Sequence, residues 1–143
     1  MSTFLDTNVV VYAFDGAELE KQATAIAILE GEDRLVVSTQ VLLETWWVLT
    51  RRLAEPLSED GASAVIDTLT QLPIVNTDAD LVQRAIRTSR ESRIAIWDAM
   101  IIEAARSAGC HQVFSEDLQH DQNFDGVVVK NPFSPAHQDT PKS

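Results

Sequence analysis

Short apolar runs of strand length recur along this chain, and segments of helical period separate most of them. "RLVVST" (34–39), "LPIVN" (72–76), "HQVFS" (111–115) and "GVVVK" (126–130) read as strands, as do residues 3–6. Between them lie helical patterns. Residues 18–30 repeat Ala23, Ile26, Ala27 and Glu30 at helical spacing. "QVLLETWWVLTRRL" (40–53) stops before Pro56, with Arg51 and Arg52 in its last turn, where cations suit the helix dipole. Ser58 opens a helix over 58–71, Thr77 or Asp78 caps one over 78–91, and "AIWDAMIIEAARSAG" (95–109) is closed by Gly109. Thr7 or Asn8 begins a short helix running to Tyr12 or beyond. Strands separated by helices imply a parallel sheet covered on both faces, an α/β sandwich of three layers.

Composition narrows the class further. A chain of 143 residues with 45% hydrophobic and 23% charged residues suits one domain with a sizeable core. The longest apolar run, residues 9–14, is too short to cross a bilayer. No basic stretch precedes an apolar one at the N-terminus, so a soluble cytoplasmic protein is expected. Cys110 stands alone, which excludes an internal disulfide and a cysteine-rich zinc site. "SPAHQDTPKS" (134–143) carries no apolar pattern and is expected to be a disordered tail. The net charge of −11, from 22 acids against 11 bases, argues against nucleic-acid binding by charge alone. It leaves room for a protein whose acids are neutralised by a cation.

The placement of particular acids gives the composition a direction. Ligands of open parallel sheets bind beyond the carboxyl ends of the strands. In "FLDTNVVVYAF" (4–14) the first strand ends at Asp6, and the strand "QVF" runs out into Ser115, Glu116 and Asp117. Glu44 interrupts the apolar helix "QVLLETWWVL", and Asp98 lies between Trp97 and "AMII". Each has a plainer explanation: Asp6 can cap a helix, and Glu44 and Asp98 can face solvent or stabilise a first helical turn. Taken together, Asp6, Glu44, Asp98 and Asp117 all fall on strand tips or helix starts facing one rim. Carboxylates converging there repel by about 1 kcal/mol per pair even in water, more in the interior, unless they share protons or a divalent cation. All-oxygen donors favour Mg²⁺ or Mn²⁺ over Zn²⁺.

"FLDTNVVVYAF", "STQVLLETWWVLTRR", "IWDAMIIEAA" and "SEDLQHD…GVVVKNPF" resemble, in order, the four acidic motifs of PIN-domain ribonucleases, and within them the VapC-like toxins of type II toxin–antitoxin systems. The likeness spans residues 3–133, so that residues 1–133 would form the PIN domain. It implies a metal-dependent RNA endonuclease with Asp6, Glu44, Asp98 and Asp117 as Mg²⁺ or Mn²⁺ ligands. Asn8, Ser115 and Glu116 would support them. It also implies a homodimer and a cognate antitoxin that covers the active-site groove. One position departs: relatives with an "SEDLQHG" motif carry glycine where this chain has Asp121, which could add a ligand, alter the turn or repel a phosphate.

The expected chemistry is hydrolysis by a water that the cation activates, leaving a 5′-phosphate and a 3′-hydroxyl. No Ser/His/Asp arrangement is legible, and His120 reads as a bystander near Asp117. "RAIRTSRESR" spaces Arg84, Arg87, Arg90 and Arg93 along one helical side, either as an RNA-backbone contact or as a solvated face tied by Asp80–Arg84 and Arg87–Glu91 pairs. Trp46 and Trp47 point about 100° apart, so at least one belongs to the core and the other could stack a base or meet a partner. Two other readings compete. A phosphatase of the haloacid dehalogenase type would want an acid at position 8, where Asn8 stands. A PIN-like module could bind RNA or protein without cutting.

Overall fold

The computed structural model describes residues 1–134, so the expected tail, apart from Ser134, lies outside the described residues. Strand β1 (Ser2–Leu5) is buried from its second residue onward, as a strand covered on both faces must be. It leads into α1 (Thr7–Tyr12) and α2 (Leu19–Leu29), then β2 (Arg34–Ser38), α3 (Thr39–Arg51) and α4 (Glu59–Leu69). The chain continues through β3 (Ile74–Val75), α5 (Ala79–Ser92), α6 (Ile96–Ser107), β4 (Gln112–Phe114), β5 (Asn123–Phe124) and β6 (Val127–Lys130). The sheet order is β3-β2-β1-β4-β6-β5, parallel except for β5 against β6. The chain therefore builds outward from β1 to β3, then crosses to add β4 on the other side of β1. Such a reversal opens a crevice at the carboxyl ends of the two strands, here beyond Leu5 and Phe114.

Side-chain oxygens set several helix starts. Asp6, Ser38, Ser58 and Asp78 each accept from a backbone N–H in the first turn of α1, α3, α4 and α5. Gly109, at φ +73, ends the last helical stretch after Ala108 in the left-handed conformation that glycine adopts without strain. Helix α6 is the most deeply set: residues from Ala99 to Ala105 are buried, and it packs across β2, β4 and β6 as well as α5.

Two features go beyond what the sequence pattern revealed. The mostly parallel sheet carries an antiparallel edge strand, β5, that the apolar pattern did not reveal. Asp125 and Gly126 both have positive φ, and Phe124 pairs with Val127 across them, a two-residue hairpin of the Asp-Gly kind. In α2 the packed side is Ala25 with Ile28 and Leu29, while Ala23, Ile26 and Ala27 are exposed.

Thr45 on α3 is fully buried, and its hydroxyl has no hydrogen-bond partner among the described residues. An unsatisfied buried hydroxyl costs about 1–3 kcal/mol. Thr45→Val keeps the shape and removes the donor, and is expected to stabilise the fold by about 1 kcal/mol in urea unfolding.

Candidate active site

At the reversal between β1 and β4 the backbone of Asp6 still continues the ladder, its N–H donating to the Phe114 carbonyl at 3.0 Å. The side chain then leaves the sheet. Asp6 Oδ1 accepts from the Thr7 N–H at 2.7 Å, and Oδ2 accepts from Ser115 Oγ at 2.7 Å. Ser115 is fully buried, and its Oγ also accepts from the Asp117 N–H at 3.2 Å. Asn8, two residues into the first helical turn, bridges the same elements. Its amide nitrogen donates to Asp117 Oδ2 at 3.1 Å and lies 3.5 Å from Asp6 Oδ2, while its oxygen accepts from the Glu116 N–H at 3.1 Å.

Glu44 arrives from α3. It sits in the second turn rather than at the helix start expected from sequence, and its Oε1 accepts from Thr7 Oγ1 at 3.0 Å and Gln40 Nε2 at 3.3 Å. Asp98 enters from the first turn of α6. A cleft of about 430 Å³ is lined by Asp6, Glu44, Asp98 and Asp117 together with Asn8 and Arg52. The four acids named from sequence thus share one space.

That space is electrostatically unfavourable as it stands. The Asp6 carboxyl stands raised to about 6: burial is the largest cause, bonds from Ser115 and Thr7 oppose it, and the charges of Asp117 and Glu44 add to it. The Asp98 carboxyl is raised by burial and then by Asp117. Arg52 is the cationic side chain on the wall, and its guanidinium also lies over the Trp47 ring at 4.7 Å. Oxygen-only donors with surplus negative charge fit a hard divalent cation in kind. They do not yet fit it in distance: among the described residues no three His, Cys, Asp or Glu side chains stand close enough to grip one ion. Binding would need the carboxylates to turn from their present hydrogen bonds.

Other residues singled out from sequence lie elsewhere. Glu116 does not line the cleft; its carboxylate is bonded to Tyr12, which does, and to Lys21. Asp121 does not line the cleft either: it occupies the left-handed region at φ 68, and its carboxylate pairs with Lys130. That backbone conformation explains why a glycine suits the position. His120 Nδ1 accepts from the Asn131 N–H, tying loop to strand. Arg84 pairs with Asp80 at 2.9 Å and reaches Ser107 and Glu103 on α6. Arg93 caps α5 in the left-handed conformation, and Arg87 and Arg90 border a separate depression. None of these four arginines lines the acidic cleft. The expected Arg87–Glu91 ion pair is not formed. Trp46 packs on a small satellite core, and Trp47 is 43% exposed. Cys110 is buried, and burial pushes its thiol up, which suits a core residue better than a nucleophile.

Sequence reasoning missed Thr7 and Gln40, which hold Glu44. The spacing of four between Gln40 and Glu44 on one helix was a usable signal; nothing local marks Thr7. Trp97, adjacent to Asp98, lines the cleft at 67% exposure, and sequence alone gave it no role.

Several solved structures share this architecture. VapC20 from Mycobacterium tuberculosis, described as a sarcin–ricin loop cleaving toxin, superposes with a TM-score of 0.64 at 22% identity, covering 80% of this chain and 89% of that one. A toxin–antitoxin complex from Klebsiella pneumoniae gives 0.68 at 18% identity, covering 92% and 98%. VapBC2 from Rickettsia felis, bound to a fragment of promoter DNA, gives 0.64 at 18%, again over 92% and 98%. At these identities the likeness establishes the fold. No curated protein sequence matches significantly. The PIN domain family profile matches residues 3–123, most of the chain and every acid in the cleft. This protein belongs to the PIN domain family.

Proposed function

We propose that this protein is a divalent-metal-dependent RNA endonuclease, the toxin of a type II toxin–antitoxin system. The observation that carries the reading is the convergence of Asp6, Glu44, Asp98 and Asp117 on one cleft at the sheet's reversal, with Asp6 buried. Those four carboxylates would hold Mg²⁺ or Mn²⁺. When bound, the cation supplies Lewis-acid polarisation of a phosphate oxygen and lowers the pKa of a water.

The chain's own residues do the rest. Ser115 and the Thr7 N–H fix both oxygens of Asp6, and Asn8 ties Asp117 to the same frame. Thr7 and Gln40 orient Glu44. Arg52 offers a guanidinium to a phosphate beside the four acids, and Arg87 and Arg90, at their separate depression, would meet an RNA backbone only outside the cleft. A basic segment of an antitoxin suits the same place: the chain carries a charge of −11, and exposed Leu43, Trp47 and Trp97 give the region apolar purchase. No described helix is long and apolar enough to cross a membrane. A cytoplasmic homodimer of such domains completes the proposal.

The test is cleavage of end-labelled transfer and ribosomal RNA by purified, antitoxin-free protein in Mn²⁺, Mg²⁺ or EDTA. Discrete cuts that require metal and leave 5′-phosphate ends are expected. A 2′,3′-cyclic phosphate product would overturn the water-attack mechanism. Metal-independent inertness of the folded protein on every RNA would favour a PIN module that binds without cutting.

A further inference from the structure

Three acids lie within residues 115–121, and the structure treats them differently. Asp117 lines the cleft and makes no ion pair among the described residues. Asp121 is taken by Lys130. Glu116 is held on both oxygens: Tyr12 Oη donates to Oε1 at 2.6 Å, and Lys21 Nζ lies 2.6 Å from Oε2. Lys21 also donates to Tyr12 Oη at 3.2 Å, which closes the triangle.

The triangle is packed as well as paired. The Lys21 ammonium lies 4.9 Å from the Tyr12 ring centroid and 6.0 Å from that of Phe133, and the two rings meet edge to face at 4.9 Å. An isolated surface ion pair would hold its partner loosely. Here a hydroxyl, an ammonium and two rings restrict one carboxylate, and Tyr12 itself is also among the residues lining the cleft. The Glu116 N–H meanwhile donates to Asn8, whose amide holds Asp117. The direction of Glu116 is thus set one residue from a carboxylate that enters the acidic centre.

We propose that Tyr12 and Lys21 are positioning residues that keep the Glu116 carboxylate out of the cleft, so that the loop after β4 offers the cation Asp117 alone. The inference rests on the metal-dependent reading above. Freed from Lys21, Glu116 would add a further negative group to the centre. Another carboxylate tightens cation binding, yet it repels the substrate phosphate and competes for the same coordination position.

The signs of these two effects make the test. Mn²⁺ affinity is measured by calorimetry and RNA cleavage by initial rate, on full-length parent, Lys21→Met, Lys21→Arg and the double variant Lys21→Met/Glu116→Gln, each checked for folding by circular dichroism. Lys21→Met is expected to bind Mn²⁺ about fivefold more tightly and to cleave about tenfold more slowly, because ligand charge rises where the phosphate must sit. Lys21→Arg should stay near the parent. The double variant should return both quantities to within about twofold of the parent, as a coupled pair requires. A loop that had merely loosened would lower both affinity and rate, and Glu116→Gln would not repair it; that result overturns the proposal, as does an unchanged Lys21→Met. Failure of the parent itself to bind Mn²⁺ would instead bring down the metal-dependent reading, and this inference with it.

Discussion

Asp6→Asn is expected to lower RNA cleavage by about a thousandfold or more while making the metal-free protein more stable at pH 7.5. Both effects come from one buried carboxylate. Its neighbours supply hydrogen bonds but also the charges of Asp117 and Glu44, and burial dominates, raising it from 3.8 to about 6. A raised acid favours the folded state while protonated. Its contribution is therefore fully present below pH 3.8 and is lost as pH rises through about 6. The displacement sets a ceiling of about 3 kcal/mol on the stability given up by neutral pH. Asparagine carries no charge to bury and keeps one oxygen for Ser115 or Thr7, so about 1–2 kcal/mol of that should be regained. Urea unfolding of both proteins in EDTA across pH 4–8 checks this. The difference should vanish near pH 4 and grow to a plateau above about pH 7. A difference independent of pH would mean that the charge of Asp6 is not what destabilises the metal-free fold.

The second large effect lies away from the cleft. Arg106→Ala should cost about 2–3 kcal/mol, lowering Tm by about 10 °C. The Arg106 guanidinium donates to the carbonyls of Phe124 and Asp125 at 2.8 and 2.9 Å and to Glu103 at 3.1 Å, so it fastens α6 to the β5–β6 hairpin. Glu103 is only 4% exposed, and its remaining partners would be Thr88 at 2.8 Å and Arg84 at 3.7 Å. The figure is kept below that of a fully buried pair because Arg106 itself is about a third exposed. Arg106→Lys should recover less than half of the loss, since an ammonium cannot span both carbonyls and the carboxylate. Thermal unfolding of the three proteins decides it, and full recovery by lysine would show that charge alone matters there.

What the sequence made legible follows the range of the forces involved. Helix starts were readable because a cap is local: Ser58 and Asp78 announce α4 and α5 within a few residues of the bonds they accept. The strands were readable because parallel strands are apolar on both faces, as "FL" and "VV" are in β1 and β2. The β5 hairpin was missed for an avoidable reason, since Asp125-Gly126 is a strong turn signal; two residues of strand simply leave no periodicity to see. The buried side of α2 was not legible, because Ala and Ile lie all around that helix and which side packs depends on its neighbours.

At the site, the acids stand out from sequence because charge inside an apolar helix or at a strand tip is anomalous in itself. Their keepers do not. Thr7 is an ordinary helix-start residue until Glu44, 37 positions later, is laid beside it. Lys21 reads as a solvated helix lysine until Glu116 meets it. The arginine row of α5 is regularly spaced in sequence, yet Arg84 reaches Ser107 and the buried Glu103 while Arg87 and Arg90 do not, a division made by α6 rather than by α5.

The reversal between β1 and β4 has a consequence for timing. Asp6 and Ser115 meet across 109 positions of chain. While the polypeptide is still emerging from the ribosome, β1 has no β4 beside it, Asp6 has no serine to orient it, and Asp117 has not been made. A centre of this build is therefore incomplete until β4 and the loop after it have been made, and the activity proposed for it waits on that late stretch of chain.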